Sequence, residues 1–291
     1  MSNRWTWIDT LAKIDEAKED IGRSSIICID TEYDSFRYFR ALLCLIQIRT
    51  DETTWLFDPL NGLDYSFLGK IFAERKILKV MHAGDNDVRL LKRDYAFAFY
   101  NIFDTHRAAA ILGCRYLSLS ALVGRYLGIE FEKKKSLQRS RWDTRPLSRE
   151  QLQYAVEDTA YLKALYRKLE EEIDEHGLRE NATKVFNSIA DVMWNEKNSS
   201  DLRAYKSIRG YQSLEAHQKR CLKHLYQWRF QKAEQTNLAI FRVLSDQSLL
   251  DLVRAGTQSL EWLMRSGILS SEKAHLYGTE VIRILRRYNE A

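Results

Sequence analysis

The run Ser25-Ile26-Ile27-Cys28-Ile29-Asp30-Thr31-Glu32 sets the tightest limit on what this chain can fold into. Its apolar half is rich in β-branched isoleucine and leads straight into two acids spaced two apart. A continuous apolar run of this length reads as a strand buried on both faces. Side chains alternate along a strand, so Asp30 and Glu32 project from the same face at its C-terminal end. Two carboxylates held side by side resist joint ionisation unless a cation lies between them. Acids are also common where a strand gives way to a loop. The pair therefore defines a site only if the rest of the chain supplies matching acids.

The chain has 291 residues, enough for two domains, and its 45% hydrophobic and 29% charged content is that of a soluble globular protein. Met1 to Asp20 mixes Asp, Glu, Lys and Trp without an apolar core, so no signal peptide is expected. The longest apolar runs, such as Ala41 to Ile46, are too short to span a bilayer, and no membrane partner is expected. Cys28, Cys44, Cys114 and Cys221 form no C-x-x-C pair, which argues against thiolate-bound zinc and a disulfide framework and points to a reducing cytoplasm. The net charge of +5 is uneven: residues 1–195 carry −1 and residues 196–291 carry +6. A basic module beside a nearly neutral one suggests a polyanionic partner, although a basic surface also serves solubility.

Along the chain, Thr6 to Asp20 reads as a leading helix with Trp7, Leu11 and Ile14 at helical spacing. Ala41–Ile48 and Thr53–Phe57 read as strands, Tyr65–Phe72 as a helix, Ile77–Val80 as a strand, and Ile102–Phe103 as a short one. Asp104-Thr105 reads as a helix cap. Ser148 and Gln151 match a capping box that opens a long helix to about His176, with Gly177 at its end. Residues 1–195 are expected to form one α/β domain, 196–208 a linker, and 209–291 a small all-α domain.

Further acids follow. His82-Ala83-Gly84-Asp85-Asn86-Asp87 trails the Ile77–Val80 strand, where α/β sheets place their sites. Asp85 suits a helix N-cap and Asp87 the first turn. In Tyr154-Ala155-Val156-Glu157-Asp158, Tyr154 and Asp158 share a helix face and Glu157 is turned aside. Brought together, such carboxylates suit hard cations such as Mg²⁺ or Mn²⁺.

This order of acids resembles the DEDDy 3′→5′ exonuclease superfamily, and the flanks resemble ribonuclease D. They are Asp30-Thr31-Glu32 with Leu45-Ile46-Gln47-Ile48, His82-Ala83-Gly84 with Asp87, Phe103-Asp104-Thr105, and Arg145-Pro146-Leu147 with Tyr154-Ala155 and Asp158. Residues 209–288, including Leu225-Tyr226-Gln227-Trp228-Arg229, resemble the HRDC helical module. One departure is Ser140-Arg141-Trp142-Asp143, where the family commonly has Ser-Asp-Trp. The resemblance implies a ribonuclease H-like mixed sheet flanked by helices. It implies two divalent ions (Mg²⁺ or Mn²⁺) held by Asp30, Glu32, Asp87 and Asp158, with Tyr154 orienting or deprotonating the attacking water and no organic cofactor. It implies RNA with a free 3′ end as substrate, tRNA precursors included, hydrolysed to nucleoside 5′-monophosphates. Asp87 rather than Asp85 is assigned because the family acid falls five residues after the His.

Lys133, Lys134, Lys135, Arg139, Arg141, Arg145 and Arg149 either guide phosphates or form a solvated loop. Tyr33, Phe36, Tyr38 and Phe39 either stack on terminal bases or pack a hairpin. His82, Lys135, Gln138, Arg139, Arg141, Lys219 and Lys223 are the RNA-binding candidates. An exonuclease acting on DNA and a catalytically silent RNA-binding scaffold are the rival readings.

Overall fold

The computed structural model describes residues 4–130, 135–194 and 204–289. Two compact units are present: Met1–Asp34 with Leu42–Trp194, and Ser35–Ala41 with Asn195–Ala291.

The first unit opens with β1 (Trp5–Ile8), α1 (Leu11–Arg23), β2 (Ile26–Asp34), β3 (Leu42–Arg49) and β4 (Thr54–Phe57). There follow α2 (Leu68–Ala73), β5 (Leu78–Met81), α3 (Asp85–Tyr95), β6 (Ile102–Asp104), α4 (Thr105–Ile111) and α5 (Leu119–Leu127). It closes with α6 (Lys135–Gln138), α7 (Arg149–Ala160), α8 (Leu162–Glu175) and α9 (Arg179–Ala190). The six strands form one mixed sheet in the order β1-β4-β3-β2-β5-β6. β2 is central, antiparallel to β3 and parallel to β5.

Both faces of β2 are covered, as its isoleucines require. Ile27 and Ile29 join Ile46, Ile48 and Phe57 beneath Ile14, Ala17 and Ile21 of α1. On the opposite face Cys28 and Val80 pack with Leu162, Leu165 and Leu169 of α8. Further along that face Leu45 and Leu56 meet Trp142, Tyr154, Ala155 and Val156. Fully burying one such aliphatic side chain contributes about 1.5–3 kcal/mol, so this double coverage is what fixes the strand's place.

Three expected helices change, the Tyr65–Phe72 one by starting only at Leu68. The leading helix begins only at Leu11, because Trp5–Ile8 is drawn into the sheet as a parallel partner of β4, and the Thr10 hydroxyl caps the helix by accepting from the Lys13 amide. Trp7 thus lies on a strand. The long helix from Ser148 breaks at Tyr161 into α7 and α8. The Thr159 hydroxyl donates to the Val156 carbonyl at 3.1 Å, a local bond that competes with the helical ladder. The capping box at Ser148 and Gln151 is present, and Gly177 ends α8 with φ +66°.

The second unit contains α10 (Ala216–Thr236), α11 (Ile240–Val243), α12 (Asp246–Ala255), α13 (Leu260–Arg265) and α14 (Ser271–Asn289). Leu222, Leu225 and Phe230 of α10 pack with Leu249 and Val253 of α12 and Val281 and Leu285 of α14. The sequence placed residues 35–41 in the first domain, but Phe39 is buried in this helical core, edge-on to Phe230 at 5.0 Å. Tyr38 pairs with Leu238 as an isolated bridge, and the Arg40 amide donates to Asn237 Oδ1 at 2.8 Å. Tyr205 and Ile208, read as linker, are also core residues of this unit. The rest of the expected linker, 196–203, lies outside the described residues.

Candidate active site

The bulge between Glu32 and Tyr33 lies just beyond Asp30 and Glu32, which face Gln47 and Leu45 of β3. α7 crosses the same face of β2 and β3 and brings Asp158 down onto it. Oxygens of Asp30, Glu32 and Asp158 lie within 4.8 Å of one another. Glu32 and Asp158 are buried, at 7% and 3% exposure, and Asp30 is half-buried. Three oxygen-only ligands this close, without sulfur or imidazole, fit a hard divalent cation.

Asp87, the fourth expected acid, is not one of these three and lies by the other face of β2. It occupies the first turn of α3, where the helix dipole favours an acid. The Thr31 hydroxyl, on the opposite face of β2 from Asp30, donates to Asp87 Oδ1. Burial and then the Asp30 charge push the Asp87 carboxyl up to about 7. A folded-state value raised above the ordinary 3.8 means that the metal-free fold holds the proton more tightly than the unfolded chain. Chelated protein is therefore expected to lose stability as pH rises from about 4 to about 7, and divalent ion to restore it. Urea midpoints at pH 5 and pH 7.5, with EDTA and with Mn²⁺, measure this. A chelated midpoint that rises across that interval would count against it.

Tyr154 is buried against Trp142, with ring centroids 6.0 Å apart. Its phenol donates to the Asp158 carboxylate, and burial, followed by the charges of Asp158, Glu32 and Asp30, holds it well above the ordinary phenol range. Glu157 turns aside, accepting from Gln153 Nε2 at 2.6 Å.

The turn that leads into α3 is tightly built. Ala83 has φ +56°, and a Cβ on Gly84 would come within 2.9 Å of Met81. Asp104 fixes this turn from below: its Oδ2 accepts from the Gly84 amide at 2.8 Å while its Oδ1 caps α4 through the Arg107 amide at 2.8 Å. Gly84, not Asp85, is the N-cap of α3; Asp85 is the first helical residue and pairs with Arg107 at 2.9 Å. The His82 ring is half-buried, its Nδ1 2.9 Å from Thr105 Oγ1. That hydroxyl donates to the Met81 carbonyl, so Nδ1 is the donor in the His82–Thr105 pair.

The expected basic guides divide. Arg145 is a structural residue: its guanidinium forks onto Asp58 at 2.7 and 2.5 Å and also donates to the carbonyls of Cys44, Trp142 and Thr144. Asp58 is 4% exposed, so Asp58→Ala is expected to cost about 2–4 kcal/mol in urea unfolding, and a loss below about 0.5 kcal/mol would contradict this. Arg141, at the departure from Ser-Asp-Trp, pairs with Asp143 at 2.8 Å. Gln138 and Arg139 are exposed on and just after α6. Lys133, Lys134 and the side chain of Lys135 lie outside the described residues. In the helical unit Lys219 sits over the Tyr211 ring and Lys223 is exposed. Among the aromatic residues after the acids, Tyr33 packs with the sheet core, Phe39 is buried in the helical unit, and Phe36 is exposed beside Phe241.

Sequence reasoning gave Thr31 no role of its own and saw Asp104 only as a cap. The signal for Thr31 was a hydroxyl between the two acids. Asp104 gave none beyond its capping position.

A mixed sheet with Asp30 and Glu32 near the end of its central strand, met by Asp158 from α7, offers an oxygen-only site of the kind that suits a hard divalent cation. Residues 5–174 match the 3′-5′ exonuclease family model and residues 218–285 the HRDC domain. The chain belongs to the 3′-5′ exonuclease family, with the ribonuclease H-like fold of its members. It is 30% identical over 261 residues to ribonuclease D of Desulfotalea psychrophila, covering 89% of this chain and 69% of that protein. It is 28% identical over 263 residues to an exosome complex component 10 homolog of Drosophila melanogaster, covering 88% of this chain and 29% of that protein. It therefore spans under a third of the length of that relative. The solved Escherichia coli RNase D superposes with a TM-score of 0.70 at 26% identity, covering 99% of this chain and 76% of that one. That structure is described as an exoribonuclease involved in structured RNA processing.

Proposed function

We propose that this chain is a metal-dependent 3′→5′ exoribonuclease that releases nucleoside 5′-monophosphates from RNA, tRNA precursors among its substrates, in a reducing cytoplasm. The observation that carries this reading is the convergence of Asp30, Glu32 and Asp158 within 4.8 Å, with the Tyr154 phenol on Asp158. Asp87 completes the set from α3. Two divalent ions, Mg²⁺ or Mn²⁺, held by these four carboxylates would supply Lewis-acid stabilisation of the phosphodiester oxygens and an activated water. The remaining work falls to the chain itself. Tyr154 keeps its proton and hydrogen-bonds through it to Asp158, so an oxygen lone pair is left to accept a hydrogen bond from the attacking water and aim it. Buried Leu45, Leu56 and Trp142 wall the acids from one side and lower the local dielectric. Four free, buried cysteines agree with a reducing compartment, and among the described residues no helix is long and apolar enough to cross a membrane.

The names of the relatives support RNA over DNA. The test incubates 3′-extended tRNA and matched single-stranded DNA with Mg²⁺ or Mn²⁺. Stepwise loss from the RNA 3′ end is expected. Equal or faster loss from DNA would move the assignment to a DNA exonuclease, and binding without loss from either would leave a scaffold.

A further inference from the structure

Gln47 is a polar side chain on the floor of this site that the proposed chemistry does not use. It lies on β3 directly opposite Asp30, and residues paired across antiparallel strands point to the same face with Cβ atoms about 4.5–5.5 Å apart. The face is the one roofed by α7, because Leu45 and Leu56, which flank Gln47 along and across the strands, pack on Tyr154, Ala155 and Val156. Gln47 is 0% exposed, and neither its Nε2 nor its Oε1 has a hydrogen-bond partner. An amide buried in this way destabilises a fold, and a leucine or methionine would fill the space without that cost. Such an orphaned group beside a cluster of carboxylates has a use once those carboxylates hold a cation. Carboxylates that bind a metal through some of their oxygens need donors at their rear to fix their rotation. An amide supplies two N–H donors and carries no charge that would compete for the ion.

We infer that Gln47 is a positioning residue: its amide donates to the Asp30 carboxylate from behind and sets the orientation in which Asp30 and Asp158 take up divalent metal. This rests on the proposed reading of the acids as metal ligands. The amide stays idle in the metal-free protein and engages on loading.

The test compares the full chain with Gln47→Met and Gln47→Leu, each apolar and of similar size. Two quantities are measured: the melting temperature of the EDTA-treated protein, and the Mn²⁺ concentration giving half of the metal-induced thermal shift. The metal-free variants are expected to melt at or above wild type, while the Mn²⁺ midpoint rises about 10–100-fold. Half-saturation of RNA cleavage by Mn²⁺ is expected to move by the same factor. A Mn²⁺ midpoint within twofold of wild type in both variants would overturn the inference. Failure of both to fold without metal would also overturn it, since the amide would then be carrying structure. Absence of any Mn²⁺ shift or cleavage in wild type would instead remove the underlying reading of the acids.

Discussion

Asp30→Asn is expected to reduce single-turnover cleavage of a 3′-extended RNA by about a thousandfold or more, while leaving the fold intact. Asp30 is shared between the two halves of the acid set. Its oxygens lie within 4.8 Å of Glu32 and Asp158, and its charge is the largest single charge acting on Asp87. Asparagine keeps the shape and halves the donor capacity for a cation. Losing several kcal/mol of transition-state charge stabilisation, about 4 kcal/mol, corresponds to roughly three orders of magnitude in rate. The same substitution relieves repulsion among buried carboxylates, so the chelated variant is expected to unfold at the same urea concentration as wild type or a higher one. Cleavage within tenfold of wild type would remove Asp30 from the centre of the site.

The second large effect belongs to Tyr154. Tyr154→Phe deletes one oxygen and keeps the ring that packs on Trp142 at 6.0 Å. If the phenol aims the attacking water, kcat should fall about 100-fold, with KM and the Mn²⁺ midpoint changed by less than about threefold. The split matters because Asp158 accepts from this phenol. A shift confined to the metal midpoint, with kcat recovered at saturating metal, would make Tyr154 a positioning residue for Asp158 instead.

Much of the α/β domain could be read from the sequence because its key features are local. The isoleucines before Asp30 demand a doubly covered strand, and the structure gives one between β3 and β5. The Ser148–Gln151 capping box and the terminal Gly177 are set by neighbours within a few residues, and both are present. The features that escaped depend on partners far along the chain. Nothing near Trp5–Ile8 announces that β4, some fifty residues on, will claim it as a strand. Arg145 looks like any other member of a basic run until Asp58 is brought beneath it. Phe39 reads as one of four aromatics that either stack on terminal bases or pack a hairpin, whereas its ring completes a core built from residues almost two hundred positions later. Asp85 and Asp87 show the limit even within a single turn. Either acid suits a helix start, and only the tight Ala83-Gly84 turn made Gly84 the cap and left Asp85 free to meet Arg107.

At the site, the sequence order of acids pointed to Asp30, Glu32 and Asp158, which the structure brings within 4.8 Å of one another, whereas it gave no sign of Gln47. An amide in an apolar strand looks like a packing residue until the register sets it against Asp30. The candidate RNA contacts are the least legible part, since long basic side chains are shared by solvated loops and phosphate-binding surfaces alike.

The central claim is that these acids direct water to the last phosphodiester of an RNA 3′ end. The most direct measurement follows an RNA carrying a labelled 3′-terminal nucleotide, incubated with the full chain and Mg²⁺ or Mn²⁺ and sampled before half of the label is released. The expected first product is the labelled nucleoside 5′-monophosphate, followed by a ladder shortened one residue at a time, with neither formed in the presence of EDTA. Release of internal fragments, of a nucleoside 3′-phosphate, or of any product at an undiminished rate in EDTA would contradict it.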